Sequence, residues 1–138
     1  MLVASCLGGI SFIKGLGIVH AIAHMVGAEY DTHHGLTNAI ILPAVLRFNL
    51  PGMDEKVKRM NEAMQFEGNS AESFISNIEK LLDRINIPKG LAEIGVPEDC
   101  AERIAKKSMV DTAFGTNPRN ASYDEMLELV RTSITQAR

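Results

Sequence analysis

Apolar residues recur every three to four positions along almost the whole chain, and no run alternates apolar and polar residues long enough to make a strand. That spacing matches the turn of an α-helix and confines the chain to helix-on-helix packing. Leu2, Cys6, Ile10 and Ile13 share one stripe before "GLG" at residues 15–17 interrupts it. Residues 18–26 resume the apolar helix, and a polar loop, "EYDTHHG", is expected after Gly27. Residues 36–48 form the next apolar helix, with Pro43 inside it as a site for a kink. Residues 53–66 are amphipathic, with Val57, Met60 and Met64 on one side. Asn69 with Glu72 reads as a cap for a helix carrying Phe74, Ile75, Ile78, Leu81, Leu82 and Ile85, which Pro88 stops. Pro97 suits the first turn of a helix bearing Cys100, Ile104 and Met109. Ser122 with Glu125 is a capping box for a last helix carrying Met126, Leu127, Val130 and Ile134. The expected fold is an all-α helical bundle, with residues 1–138 as a single helical domain.

A chain of 138 residues is long enough to bury a core, and 46% apolar with 22% charged residues excludes general disorder. A net charge of −3 lacks the basic excess of a nucleic-acid binder, and with no Trp and 2 Tyr there is little to stack on bases. Cys6 and Cys100 do not make a disulfide framework; they read as reduced thiols, with a cytoplasmic location expected. The N-terminal "MLVASCLGGISFI" is apolar from its start, yet no basic residue precedes Cys6 and the stretch is too short for a signal. Lys14, the glycines and the histidines break any longer span, so no membrane partner is expected. The segment is therefore expected to be a buried helix. "GLG" precedes a helix but follows no strand, which makes it a weak dinucleotide fingerprint.

All four histidines, His20, His24, His33 and His34, fall within one window bounded by glycines. His20 and His24 lie one helical turn apart on one face, an arrangement that serves either packing or metal ligation. His34 follows after a loop able to fold back on that face, which brings the two readings level. His33 is expected to point away as a solvated or hydrogen-bonding loop residue. Asp31 and Glu29 are possible carboxylate ligands that more often serve as helix caps.

The stretch "GLGIVHAIAHMVGAEYDTHHGLTNAIILPAVLRFN" resembles the signature of the iron-containing alcohol dehydrogenases. Gly17, His20, His24, Gly27, His34 and Gly35 stand at that family's spacing. "NAIILP", "RFN" and "GTNPRNASYDEMLEL" at residues 115–129 also resemble it, so the likeness covers nearly the whole chain. One departure is His33, where many members have proline; it is expected to alter the loop and not the ligand set.

The resemblance implies the helical C-terminal domain of the iron alcohol dehydrogenase and dehydroquinate synthase-like fold. It implies His20 and His34 as metal ligands, with Fe²⁺ as the metal and Zn²⁺ the alternative, since zinc competes strongly for nitrogen donors. His24 would lie beside the metal, near nicotinamide and substrate, to transfer a proton or order the site, and Phe12 aligns with a substrate-pocket aromatic. The family's α/β domain, which binds NAD(P), and its other two ligands, an Asp and a His, would lie upstream. No such pair precedes His20, so the chain is expected to be a C-terminal piece, inactive alone, of an enzyme interconverting small alcohols and aldehydes. The face turned to the missing part would be apolar and drive self-association. Two alternatives stand beside this: a zinc-dependent glycerol dehydrogenase or dehydroquinate synthase relative, and a non-catalytic helical interaction module or remnant.

Overall fold

The computed structural model describes residues 2–138; Met1, where the expected single domain begins, lies outside the described residues. Among the described residues there are seven α-helices and no strand. These are α1 (Leu2–Ser11), α2 (Gly17–Tyr30), α3 (His34–Asn49), α4 (Asp54–Met64), α5 (Ala71–Arg84), α6 (Ala101–Ser108) and α7 (Tyr123–Thr135). Short 3-10 turns at Phe12–Lys14, Leu91–Ile94, Glu98–Cys100 and Phe114–Thr116 join them. The all-α expectation holds, and α3 runs through Pro43 as one element.

Two caps test the local reading. Ser122 accepts from the Glu125 backbone N–H while Glu125 accepts from that of Ser122, the expected box at the start of α7. At α5 the expected cap is one residue early. Ser70, not Asn69, accepts from the Ser73 N–H at 3.1 Å, and the Ser73 hydroxyl oxygen accepts from the Ser70 N–H in return. Glu72 then sits in the first turn, where a carboxylate suits the positive end of the helix. Pro97 lies just before the Glu98–Cys100 turn that leads into α6.

The main core lies between α2, α3, α6 and α7, where Ile18, Ile22, Val26, Ile41, Ile104 and Met126 are fully buried. Each such side chain contributes about 1.5–3 kcal/mol by leaving water. A smaller core packs α4 and α5 under α3 through Val57, Phe74, Ile75, Ile78 and Leu82. Met64, Leu81 and Ile85, expected on these apolar faces, are exposed instead, because nothing among the described residues covers the outer side of α4 and α5 there.

The N-terminal segment overturns its expectation. No residue of α1 is buried, and Leu2 and Ile13 are 89% and 86% exposed. Its periodicity is real, but α1 swings away at 99° to α2 and nothing among the described residues covers it. No single helix among them is long and apolar enough to cross a membrane.

Two distant stretches lock the start of α2. The Leu16 and Gly17 N–H groups donate to Thr116 Oγ1 at 3.0 and 3.1 Å, and the Ile18 N–H donates to Asn117 Oδ1. Asn117 also exchanges amide hydrogen bonds with Asn49 at the end of α3. Arg119 closes the corner, donating to the Phe48 carbonyl with its guanidinium 3.9 Å from the Phe48 ring centroid. "GLG", "RFN" and "GTNPRN" therefore meet at one joint that fixes how α2 and α3 pair.

Candidate functional site

The α2–α3 connection builds the site. α2 runs to Tyr30, further than expected, so the predicted polar loop shrinks to residues 31–33. Asp31 turns the chain in the left-handed region at φ 51°, and its N–H returns to the Gly27 carbonyl. The left-handed position is thus an aspartate, a residue type tolerated there, and not one of the flanking glycines. His33 then caps α3, its Nδ1 accepting from the Leu36 N–H at 3.3 Å. This matches the hydrogen-bonding loop role expected of it. His34 becomes the first residue of α3, facing back across α2.

Three imidazoles meet there. His20 and His24 on α2 have ring centroids 5.8 Å apart, and His34 lies 5.2 Å from His20 and 5.7 Å from His24. The His24 and His34 rings stack within 14° of parallel. Phe12, 57% exposed, presents its ring edge-on to His20 at 6.0 Å. The three histidines and the aromatic that the sequence singled out thus share one surface.

Two polar residues that sequence reasoning missed complete the cluster. Asn38, one turn beyond His34, places its Nδ2 3.3 Å from His20 Nε2 and 3.0 Å from His34 Nε2. Asp111, after α6, accepts from His24 Nδ1 through Oδ2 at 3.2 Å, while its Oδ1 accepts from the Ala113 N–H. The signal for Asn38 was its i, i+4 spacing from His34. Nothing in the sequence marked Asp111, which lies 87 residues from His24.

Burial holds the His20 pKa below the usual imidazole range, and the neighbouring His34 and His24 act the same way. A backbone hydrogen bond to Leu16 and the Asp111 charge oppose this more weakly. A neutral ring is the form that ligates metals. The His20 and His34 Nε2 atoms both lie within 3.3 Å of Asn38 Nδ2. No group of three or more His, Cys, Asp or Glu among the described residues is arranged to hold a metal ion.

Other candidates fall elsewhere. Glu29 is not a cap; it sits in the last turn of α2 and pairs with Arg103 at 2.9 Å and Lys107 at 2.6 Å on α6. Cys6 is exposed on α1 and Cys100 is buried, so the two do not pair. The amides a phosphate would need at the "GLG" turn are already engaged: Thr116 accepts from Leu16 and Gly17, and Asn117 from Ile18 just after it.

Residues 1–134 match the family model described as the Fe-containing alcohol dehydrogenase family, C-terminal. The chain is 37% identical over 138 residues to 1,3-propanediol dehydrogenase from Citrobacter freundii, covering 95% of this chain and 36% of that protein. It is 34% identical over 140 residues to lactaldehyde reductase from Escherichia coli strain K12, covering 96% and 37%. Among solved structures, a 1,3-propanediol oxidoreductase superposes with a TM-score of 0.80 at 36% identity, over 86% of this chain and 33% of that one. The chain therefore spans little more than a third of the length of the curated relatives it matches.

Proposed function

The chain belongs to the Fe-containing alcohol dehydrogenase family, matching its C-terminal helical region, and from that premise we propose that it carries half of a catalytic metal site. On this reading residues 1–138 act as one helical domain of an NAD(P)-dependent enzyme that interconverts a small alcohol and its aldehyde. The observation that supports it most is the convergence of His20 and His34, with ring centroids 5.2 Å apart and both Nε2 atoms within 3.3 Å of Asn38 Nδ2.

His20 and His34 would hold the metal, Fe²⁺ first and Zn²⁺ as the alternative, with further donors from outside the described residues. A divalent ion held by them would supply Lewis-acid polarisation of the alcohol oxygen. His24 is the proposed proton carrier. Asp111 fixes its tautomer by accepting from Nδ1, which leaves Nε2 free to take or give a proton on the site side. Phe12 would border the substrate. The nicotinamide cofactor is assigned mainly to residues outside this chain, since no strand is described here and the α2 start is already capped. A cytoplasmic setting, with neither nucleic acid nor membrane as partner, completes the proposal.

The test is titration of Fe²⁺ and Zn²⁺ into the purified chain, with His20→Ala and His34→Ala beside it. Weak binding that each substitution lowers at least tenfold is expected. Binding that survives both substitutions would overturn the ligand assignment. The uncovered α1 favours a second reading, a helical interaction module without chemistry. That reading gains if a well-folded chain binds neither metal.

A further inference from the structure

We propose that Asn38 is a positioning residue that sets the tautomers of both His20 and His34. A primary amide carries two N–H donors on one nitrogen and two acceptor sites on its oxygen. Here the nitrogen lies between two imidazole Nε2 atoms, at 3.3 and 3.0 Å. Each N–H donates to one ring, so each Nε2 is an acceptor and carries no proton. A neutral imidazole has one proton, which then resides on Nδ1 in both rings.

The other end of the amide determines its direction. Asn38 Oδ1 is buried and has no hydrogen-bond partner among the described residues. With the amide reversed, the carbonyl would face the two rings and the NH₂ group would be left buried with two unpaired donors in place of the unpaired oxygen. Orphaned buried donors are the rarer and costlier case. The amide therefore points its donors at the two imidazoles and leaves its oxygen as the unpartnered atom. His34 and Asn38 are one turn apart on α3, so the same helix delivers a ring and the group that orients it.

The consequence is that both Nε2 atoms are held unprotonated, each accepting from the Asn38 amide, so a ligand reaching them displaces a hydrogen bond and not a proton. Ligand nitrogens must be unprotonated, and a ring in the wrong tautomer would have to exchange a proton first. Its use in metal capture rests on the reading proposed above; the tautomer assignment stands apart from it.

Two-bond ¹H–¹⁵N correlation spectra of the histidine rings test this on the metal-free chain, above the imidazole titration range. The expected pattern is an unprotonated Nε2 and a protonated Nδ1 for both His20 and His34. Asn38→Leu keeps the branching at Cγ, removes both donors, and is expected to give mixed tautomers at one or both rings. Asn38→Asp supplies only acceptors and is expected to move the proton to Nε2 in both. Helicity by circular dichroism and an unchanged His24 pattern, which Asp111 sets separately, report that each variant is folded. A protonated Nε2 at either ring in the unsubstituted chain, or unchanged tautomers in a folded Asn38→Leu variant, would overturn the proposal. Zinc added to the same sample separates the two ideas: the expected tautomers with no zinc-dependent shift of His20 and His34 would sink the metal reading and leave the role of Asn38 standing.

Discussion

Glu29 shows how one side chain can tie two helices without belonging to either core. It sits near the C-terminal end of α2, where the helix dipole disfavours a negative charge, and Arg103 and Lys107 of α6 compensate. The hydrogen bond from Lys107 foremost holds its carboxyl below the usual glutamate range; burial opposes it, and the hydrogen bond from Arg103 and the two positive charges add to the lowering. A carboxyl whose folded pKa is lowered binds fewer protons folded than unfolded, so stability rises with pH across that interval. Its contribution is present above the ordinary glutamate pKa and is lost as pH falls through the lowered one. Glu29→Gln is therefore expected to cost little at neutral pH, since both cationic partners are half exposed. The difference should vanish in acid. Urea midpoints of the two proteins across the acid limb check this, and a difference that grows as pH falls would contradict it.

The entry into α2 depends on glycine for two separate reasons, and the contrast gives a prediction. Gly15 has φ 95° and ψ 165°, a region open to almost no other residue, and a Cβ there would stand 2.3 Å from Thr116 Cβ. Gly95 also has positive φ, at 89°, but a Cβ there would meet nothing within 4 Å. Gly15→Ala is expected to destabilise by about 1–3 kcal/mol from the backbone conformation alone, with the clash in addition. Gly95→Ala should cost only the left-handed penalty, about 1–2 kcal/mol. Equal urea midpoints for the two variants would show that the Thr116 joint yields more easily than its geometry suggests. Because Thr116 and Asn117 cap α2 directly, the Gly15 variant should also disturb the His20 resonances, which Gly95→Ala leaves in place.

Across the molecule, the uncovered helix is the feature out of balance. Leu2, Val3, Leu7 and Ile10 are each more than half exposed on α1, and Phe12 and Ile13 extend the same surface. A contiguous apolar surface in water tends to be covered. The purified chain of 138 residues is expected to self-associate through α1. Light scattering over a concentration series should show mass above the monomer, and Leu7→Glu with Ile10→Glu should restore it. A monomer at every concentration would mean α1 folds back or frays without a partner.

Much of this could be read from local pattern. Helix periodicity, the Ser122–Glu125 box and the His20–His24 spacing all involve residues within four positions of one another, so the chain carries them wherever it folds. The same holds for His34 and Asn38, whose one-turn spacing was visible even though the role of Asn38 was not. The shift of the α5 cap from Asn69 to Ser70 shows the limit of that locality, since two hydroxyls one turn apart outcompeted an amide and a carboxylate. What packing alone decided is everything that joins distant positions. Asp111 reaches His24 across 87 residues and Thr116 caps Leu16 across 100, and no periodicity encodes either contact. The burial of α1 was misread for the same reason: an apolar stripe states that a helix prefers a partner, while only the assembled neighbours determine whether it has one.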